Sequence, residues 1–271
     1  MIPYADDTRS YSFPIWVVIF IAMNAFVFLM SSAGDSYLET IYAYGCIPVR
    51  FITAPGEEID LSINIGPGIL RHTYEFNQQG WASPFITLFT SMFLHAGFFH
   101  LLGNMWFLWL FGDNVEDRLG KLIFPLFYLL CGLFANLLHI ISDIHSNIPA
   151  VGASGAIAGV MGAYIYLFPR ATIATLTGYF WYFFTLHIPA SIYLGLWFLL
   201  QLSGGLAAGA SNVAFWAHIG GFIAGVLLAM LLNGMGLVTK YPGDRGFTAT
   251  IRRDPYTVPS RYRRKRYIWN D

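Results

Sequence analysis

The stretch VAFWAHIGGFIAGVLLAMLL, residues 213–232, is twenty residues long and contains no Asp, Glu, Lys or Arg. An apolar run of about 20 residues is long enough, as an α-helix, to cross the hydrocarbon core of a bilayer. His218 is the one ionisable side chain in this run, and Gly221 and Gly225 lie on the same side of the predicted helix. We therefore predict a transmembrane helix that carries a histidine beside a face narrow enough for close packing against another helix.

The rest of the composition also points to a membrane protein. Of the 271 residues, 56% are hydrophobic and 11% are charged, whereas soluble proteins average about 25% charged residues. Further apolar segments that are long enough, or nearly so, lie upstream, which gives spans near 14–30, 98–113, 122–141, 150–168, 188–202 and 213–232. The sequence thus predicts an all-α membrane protein, a six-transmembrane-helix bundle in residues 1–235, followed by a tail of residues 236–271.

The charge distribution predicts the orientation of this bundle. With six spans, Arg118, Lys121, Arg170 and nine basic residues among the 39 after Leu232 fall on one side. Basic loops face the cytoplasm, so we expect a multi-pass protein of the cell membrane with both termini cytoplasmic. The long first loop, 31–83, is then external and more acidic than basic. The basic tail is expected to contact anionic lipids rather than nucleic acid.

Ser154 lies in the segment Val151-Gly-Ala-Ser-Gly-Ala156. Small residues at this spacing are typical of close helix packing, and a serine in such a stripe can be purely structural. Gly152 and Gly155, however, leave space for another backbone to approach the hydroxyl group. A nucleophile requires that space, so Ser154 is a candidate nucleophile.

His218 is the candidate base. Two helices with glycine faces can pack closely enough for its imidazole to reach the Ser154 hydroxyl, as acyl transfer requires. The alternative is that His218 only makes a hydrogen bond between helices. Gln201, in the preceding predicted span, is interpreted in this structural way, as an amide that bonds a neighbouring helix.

His100 and Asn104 are one helical turn apart and therefore project from the same face. Both side chains can donate hydrogen bonds, and paired donors of this kind stabilise a developing oxyanion. A zinc site that includes His95 is the alternative. The sequence contains no HExxH motif, and His95 and His100 are not spaced as ligands on one helix face. We therefore expect neither a metal nor any other cofactor.

Three strings, taken in order, resemble the rhomboid intramembrane proteases: His100-Leu-Leu-Gly-Asn104, Gly152-Ala-Ser-Gly155 and Ala217-His-Ile-Gly-Gly221. The resemblance implies a six-helix bundle and a Ser154–His218 dyad without an aspartate. It also implies an oxyanion site made by His100, Asn104 and the Ser154 amide, and it places Trp197 on the gating side of the fold. One departure is Ala158, where some members carry an aromatic ring that stacks on the histidine.

The function expected from these residues and from the resemblance is intramembrane serine endopeptidase. Its substrates would be single-span membrane proteins in the lipid bilayer, cleaved near the external face. One alternative is an inactive rhomboid-like protein that binds membrane helices, and another is a transporter lined by His100 and Asn104. The glycine-rich connection 203–212 is interpreted either as a lid in which Leu206 plugs the site or as a flexible linker.

Overall fold

A computed structural model of the chain describes residues 1–8, 10–32, 37–54, 57–64, 71–77, 82–207 and 214–241. The principal helices are α1 (Ile15–Ser32), α2 (Tyr37–Tyr44), α3 (Pro84–Thr90), α4 (Phe98–Ser142), α5 (Ser154–Leu167), α6 (Ala190–Leu206) and α7 (Phe215–Gly234). The strands are β1 (Ile2–Asp6), β2 (Glu58–Asn64), β3 (Arg71–Asn77), β4 (Thr172–Tyr179) and β5 (Tyr182–Pro189). Short 3-10 helices cover Pro48–Phe51 and Ser91–Phe93.

Three helices in the described part of the chain, α1, α4 and α7, are long and apolar enough to cross a bilayer. The longest, α4, has 45 residues and is interrupted at Gly120, where φ is 78° and ψ is 166°. Without Gly120, its 45 residues divide into two runs of 22, each about 33 Å long if helical. The apolar helices α5 and α6 are shorter, with 14 and 17 residues. The predicted spans 98–113 and 122–141 correspond to the two parts of α4.

The prediction of an all-α protein is confirmed only in part: the structure is mostly helical, but the described residues also include two small antiparallel sheets. Strands β1, β4 and β5 form one sheet in the order β1-β4-β5, and β2 pairs with β3 within the acidic first loop. β-Branched and aromatic residues favour strands, and both types are frequent in β4 and β5. No structure was predicted for most of this segment, which lies between the spans 150–168 and 188–202.

The centre of the molecule is α5, which packs between α4 and α7. Its residues from Gly155 to Tyr164 are all buried, on every side of the helix. Large rings fill the space around it, with Phe111, Phe124 and Tyr128 fully buried in the same cluster. Because α5 is apolar and packed on all sides, the side chains that it carries are held at fixed positions in the bundle.

Polar contacts attach the N-terminal segment to this bundle. The Tyr164 hydroxyl and the Asn114 amide both donate hydrogen bonds to the Asp6 carboxylate at the end of β1. Burial raises the pKa of the Asp6 carboxyl above its usual range. The Glu116 side chain, fully buried, accepts hydrogen bonds from the backbone N–H groups of Trp16 and Val17 at the start of α1.

The C-terminal part of α6 differs from the prediction. The sequence assigned a span to 188–202 and a mobile connection to 203–212, but α6 continues to Leu206. A Cβ atom added to Gly204 would lie 2.6 Å from the ring of Phe215, the first residue of α7. This glycine therefore leaves space for an aromatic ring. Positions 208–212 of the predicted lid lie outside the described residues.

Candidate active site

Ser154 and His218 meet at one end of the packed helices. Ser154 is the first residue of α5, and His218 lies in the first turn of α7. The Ser154 Oγ and His218 Nε2 atoms are 2.8 Å apart, which is a hydrogen-bond distance. An imidazole at this position can take the proton from the hydroxyl as the oxygen attacks a carbonyl carbon.

Glycine contacts between α5 and α7 bring the two side chains together. An added Cβ at Gly221 would lie 1.9 Å from the Gly155 carbonyl oxygen, and one at Gly225 would lie 1.9 Å from the Gly159 carbonyl oxygen. No larger side chain fits at such distances, so the two backbones are in direct contact. Residue numbers increase in the same direction along both helices, from Gly155 and Gly221 to Gly159 and Gly225, so α5 and α7 run parallel. This contact allows a short serine and a histidine, carried on different helices, to form a hydrogen bond.

His100 and Asn104 lie on α4 beside the segment that precedes Ser154. Gly152 has a φ of 119°, and an added Cβ there would be 2.8 Å from His100 Nε2 and 3.3 Å from Asn104 Nδ2. The backbone N–H of Ala96 points to His100 Nδ1 over 3.4 Å, which leaves Nε2 as the protonated nitrogen of the neutral ring. Asn104 Nδ2 is buried and has no hydrogen-bond partner among the described residues.

The arrangement around Gly152 can bind negative charge. His100 Nε2 and Asn104 Nδ2 are donors close to the Ser154 turn, and the first amides of α5 have no partner within their own helix. Donors of this kind are the groups that stabilise the oxyanion of a tetrahedral intermediate. The Gly152 amide itself is used elsewhere, because it donates to the Ser91 carbonyl at 2.9 Å.

A small cavity of about 10 Å³ lies beside Ser154. Met92, Gly132 and Asn136 are among the residues that line it. Its size corresponds to the space that a single water molecule needs. The Asn136 amide is held in place by the Leu88 carbonyl at 2.7 Å and the Ser91 hydroxyl at 2.9 Å.

The other ring nitrogen of His218 has a partner that the sequence analysis did not assign to the site. His218 Nδ1 lies 2.8 Å from Oε1 of Gln201, which belongs to α6. Trp197, one turn earlier on α6, lies against the imidazole with a centroid distance of 5.9 Å and a ring angle of 36°. The aromatic neighbour missing at Ala158, which is buried, is thus supplied from α6. The signal available in the sequence was the four-residue spacing of Trp197 and Gln201, which places both side chains on one face of a helix.

Gly155 packs against α7, as described above, and Leu206 ends α6 with 65% of its surface exposed. The His95 ring is buried and stands 5.2 Å from the His100 ring, centroid to centroid. Within the described ranges, no group of three His, Cys, Asp or Glu side chains is close enough to hold a metal ion.

Sequence comparisons identify the class of protein. The sequence profile of the Rhomboid domain matches residues 82–234 of this chain. The chain is 30% identical to Rhomboid protein 1, mitochondrial, of Saccharomyces cerevisiae, over 59% of this chain and 45% of that protein. It is 28% identical to Rhomboid protease GluP of Bacillus subtilis, over 81% of this chain and 35% of that protein. It is 27% identical to RHOMBOID-like protein 4 of Arabidopsis thaliana, over 83% and 54% respectively.

The chain belongs to the rhomboid family, and with its apolar helices it is a multi-pass membrane protein. The Ser154–His218 pair and the donors on α4 all lie within the matched residues 82–234. The chain spans only about half, or less, of the length of the relatives described above.

Proposed function

We propose that this protein is an intramembrane serine endopeptidase that cleaves transmembrane segments of other membrane proteins. The observation that carries the proposal is the 2.8 Å contact between Ser154 Oγ and His218 Nε2 at one end of two closely packed helices. A serine hydroxyl is a weak nucleophile unless a base is placed to remove its proton. The relative named Rhomboid protease GluP adds support from the comparisons.

The reaction follows from the position of these groups. Ser154 Oγ attacks the carbonyl carbon of the peptide bond while its proton passes to His218 Nε2. The carbonyl oxygen becomes an oxyanion, which His100, Asn104 and the Ser154 amide stabilise. When the intermediate collapses, the C–N bond breaks and His218 returns the proton to the leaving amine. A water molecule, deprotonated by His218, then hydrolyses the Ser154 ester and releases the acid product.

The proposed topology has six spans: α1, the two parts of α4, α5, α6 and α7. The parallel course of α5 and α7 supports it, because the chain must return across the membrane between them, and α6 is the helix available for this. The basic residues Arg118, Lys121 and Arg170 support cytoplasmic termini in the cell membrane. The tail after residue 241 lies outside the described residues, and its contact with anionic lipids is part of the proposal.

The proposed substrates are single-span proteins whose helix unwinds near the external face. A helix hides its carbonyl groups in backbone hydrogen bonds, so a peptide bond must leave the helix before Ser154 can attack it. Segments with Gly, Ser or Pro near that face unwind most readily. We propose that such a segment enters past α6, with Trp197 and Leu206 at the gate.

The test is labelling and cleavage by the purified protein in proteoliposomes. A fluorophosphonate probe should label the wild type and Ser31→Ala, but not Ser154→Ala, because the Ser154 hydroxyl is hydrogen-bonded to the His218 imidazole. A panel of single-span substrates should be cut by the wild type and by His145→Ala, which changes an exposed histidine, and not by His218→Ala. Cleavage by Ser154→Ala would refute the mechanism. Binding of substrate without labelling or cleavage would favour an inactive rhomboid-like protein instead.

A further inference from the structure

Gln201 makes the second hydrogen bond of the His218 ring. Its Oε1 atom lies 2.8 Å from His218 Nδ1, and its Nε2 atom lies 3.4 Å from the Trp197 carbonyl oxygen. The side chain is partly buried on α6, where it faces α7. An amide side chain placed between a backbone carbonyl and an imidazole can be in only one useful orientation, because the carbonyl accepts and never donates.

This orientation determines which nitrogen of His218 carries the proton. Gln201 Nε2 donates to the Trp197 carbonyl, so Gln201 Oε1 faces the imidazole as an acceptor. His218 Nδ1 must then be the protonated nitrogen, and Nε2 is left unprotonated. Only the unprotonated Nε2 can accept the hydroxyl proton of Ser154, 2.8 Å away. The hydrogen bonds therefore run in one direction, from Ser154 through His218 and Gln201 to the Trp197 carbonyl.

No carboxylate supplies this bond in the described part of the molecule. The titratable side chains that act on His218 are the imidazoles of His100 and His139, both on α4. Helix α6 contains no Asp, Glu, Lys or Arg between Ala190 and Leu206, and neither does α5. The position that an aspartate occupies in a Ser-His-Asp triad is thus taken by a neutral amide.

We propose that Gln201 is the positioning residue of this site: it holds His218 in the Nδ1-protonated tautomer and fixes the plane of the ring, with Trp197 packed against the face. This rests on the proposed protease function for its effect on turnover, but the tautomer itself does not depend on that function. The hydrogen bonds of the Gln201 side chain go to His218 and to the Trp197 carbonyl, so its loss should act through the imidazole on the chemical step and leave substrate binding unchanged.

The kinetic test compares Gln201→Leu, which keeps the size and removes the acceptor, with Gln201→Glu, which keeps an acceptor and adds charge. For Gln201→Leu we expect kcat to fall about 10- to 100-fold, the loss that accompanies one hydrogen bond to an ionised group. KM should stay within about twofold of the wild type, because the loss falls on the chemical step. Leu199→Ala, an exposed site on the same helix, should leave kcat unchanged.

Gln201→Glu should retain more of kcat than Gln201→Leu. Its carboxylate also favours the imidazolium form, so the acidic limb of the kcat/KM profile should move to higher pH. Equal losses in the two variants, with no displacement of the pH profile, would overturn the proposal, and so would an unchanged kcat in Gln201→Leu.

A second measurement separates this proposal from the proposed function. In protein labelled with ¹⁵N-histidine, the two ring nitrogens of His218, assigned with His218→Ala, should report Nδ1 protonation in the wild type. Gln201→Leu should shift the ring toward Nε2 protonation. This readout needs no substrate, so the protease hypothesis can fail in the Ser154→Ala assay while the tautomer result stands. A wild-type ring protonated on Nε2 would overturn the role of Gln201 whatever the activity.

Discussion

Gly221 on α7 stands so close to Gly155 on α5 that a Cβ atom at position 221 would lie 1.9 Å from the Gly155 carbonyl oxygen. The atoms in the way belong to the backbone, and no change of rotamer can move them. One methyl group at this position must therefore separate the helices that carry Ser154 and His218.

We expect Gly221→Ala to lower the free energy of unfolding by about 1–3 kcal/mol or more, as overpacking does, and to remove most proteolysis, because the hydrogen bond between Ser154 and His218 is lost. Unfolding in mixed detergent micelles and cleavage of a single-span substrate measure the two effects. Gly195→Ala is the matched control on α6, where an added Cβ meets nothing within 4 Å. Equal behaviour of the two variants would contradict the packing argument.

Gly120 and Gly152 both have positive φ, and alanine variants at the two positions distinguish backbone strain from damage to the active site. Gly120→Ala places a side chain at φ 78° and ψ 166° in open space, so only backbone strain of about 1–3 kcal/mol is expected. Gly152→Ala adds a clash with the His100 ring, 2.8 Å away, and should also lower kcat. Thermal unfolding and turnover, measured on both variants, distinguish the two effects. A normal kcat in Gly152→Ala would show that His100 adjusts without cost.

Loss of one oxyanion donor should slow the reaction without abolishing it. We expect His100→Ala and Asn104→Ala each to lower kcat about 100- to 1,000-fold, the usual loss for one such donor. Leu102→Ala, an exposed position on the same helix, is the control. Full activity in both donor variants would remove them from the oxyanion site.

Glu116 should be important for stability through its contacts with α1. Its buried carboxylate binds the N–H groups of Trp16 and Val17 and pairs with Lys121 Nζ at 2.8 Å. Glu116→Ala leaves these groups without their acceptor, and we expect the free energy of unfolding to fall by about 3–5 kcal/mol. Glu39→Ala, which removes an exposed carboxylate, should have little effect. Similar midpoints of unfolding for the two variants would rule out the contribution.

The gate hypothesis predicts a gain of activity. If Leu206 limits access to Ser154, Leu206→Ala should raise turnover of a membrane substrate, because a smaller side chain opens the path. Leu196→Ala is the control, since Leu196 is exposed on the same helix. If Leu206→Ala turns over the substrate at the wild-type rate, the connection after α6 is a linker and not a lid.

The sequence predicted those features that depend on local composition. Apolar length indicated the apolar helices, three of which are long enough to cross a bilayer, and the glycine faces around Ser154 and His218 indicated close packing of their helices. The three-stranded sheet was missed because β1 pairs with a strand about 170 residues away, Ile2 with Leu176, and no local pattern encodes that pairing. Gly204 was interpreted as part of a flexible connection, whereas a side chain at this position would clash with the ring of Phe215 on α7.

Gln201 was missed for a related reason. An amide in a membrane helix is commonly a contact between helices, and that description is also true of Gln201. Its specific partner depends on how α6 is rotated against α7, which a single sequence does not reveal. The spacing of Trp197 and Gln201 placed both on one face of α6, but only the structure showed that this face meets the imidazole.

The glycine contacts between α5 and α7 also limit how the two helices can slide. The pairs Gly155 with Gly221 and Gly159 with Gly225 repeat at the same four-residue interval on both helices. A displacement by a single residue is about 1.5 Å, whereas the next register that repeats the four-residue interval is about 6 Å away. The two backbone contacts therefore set how far along the helix axes the nucleophile and the base stand relative to each other.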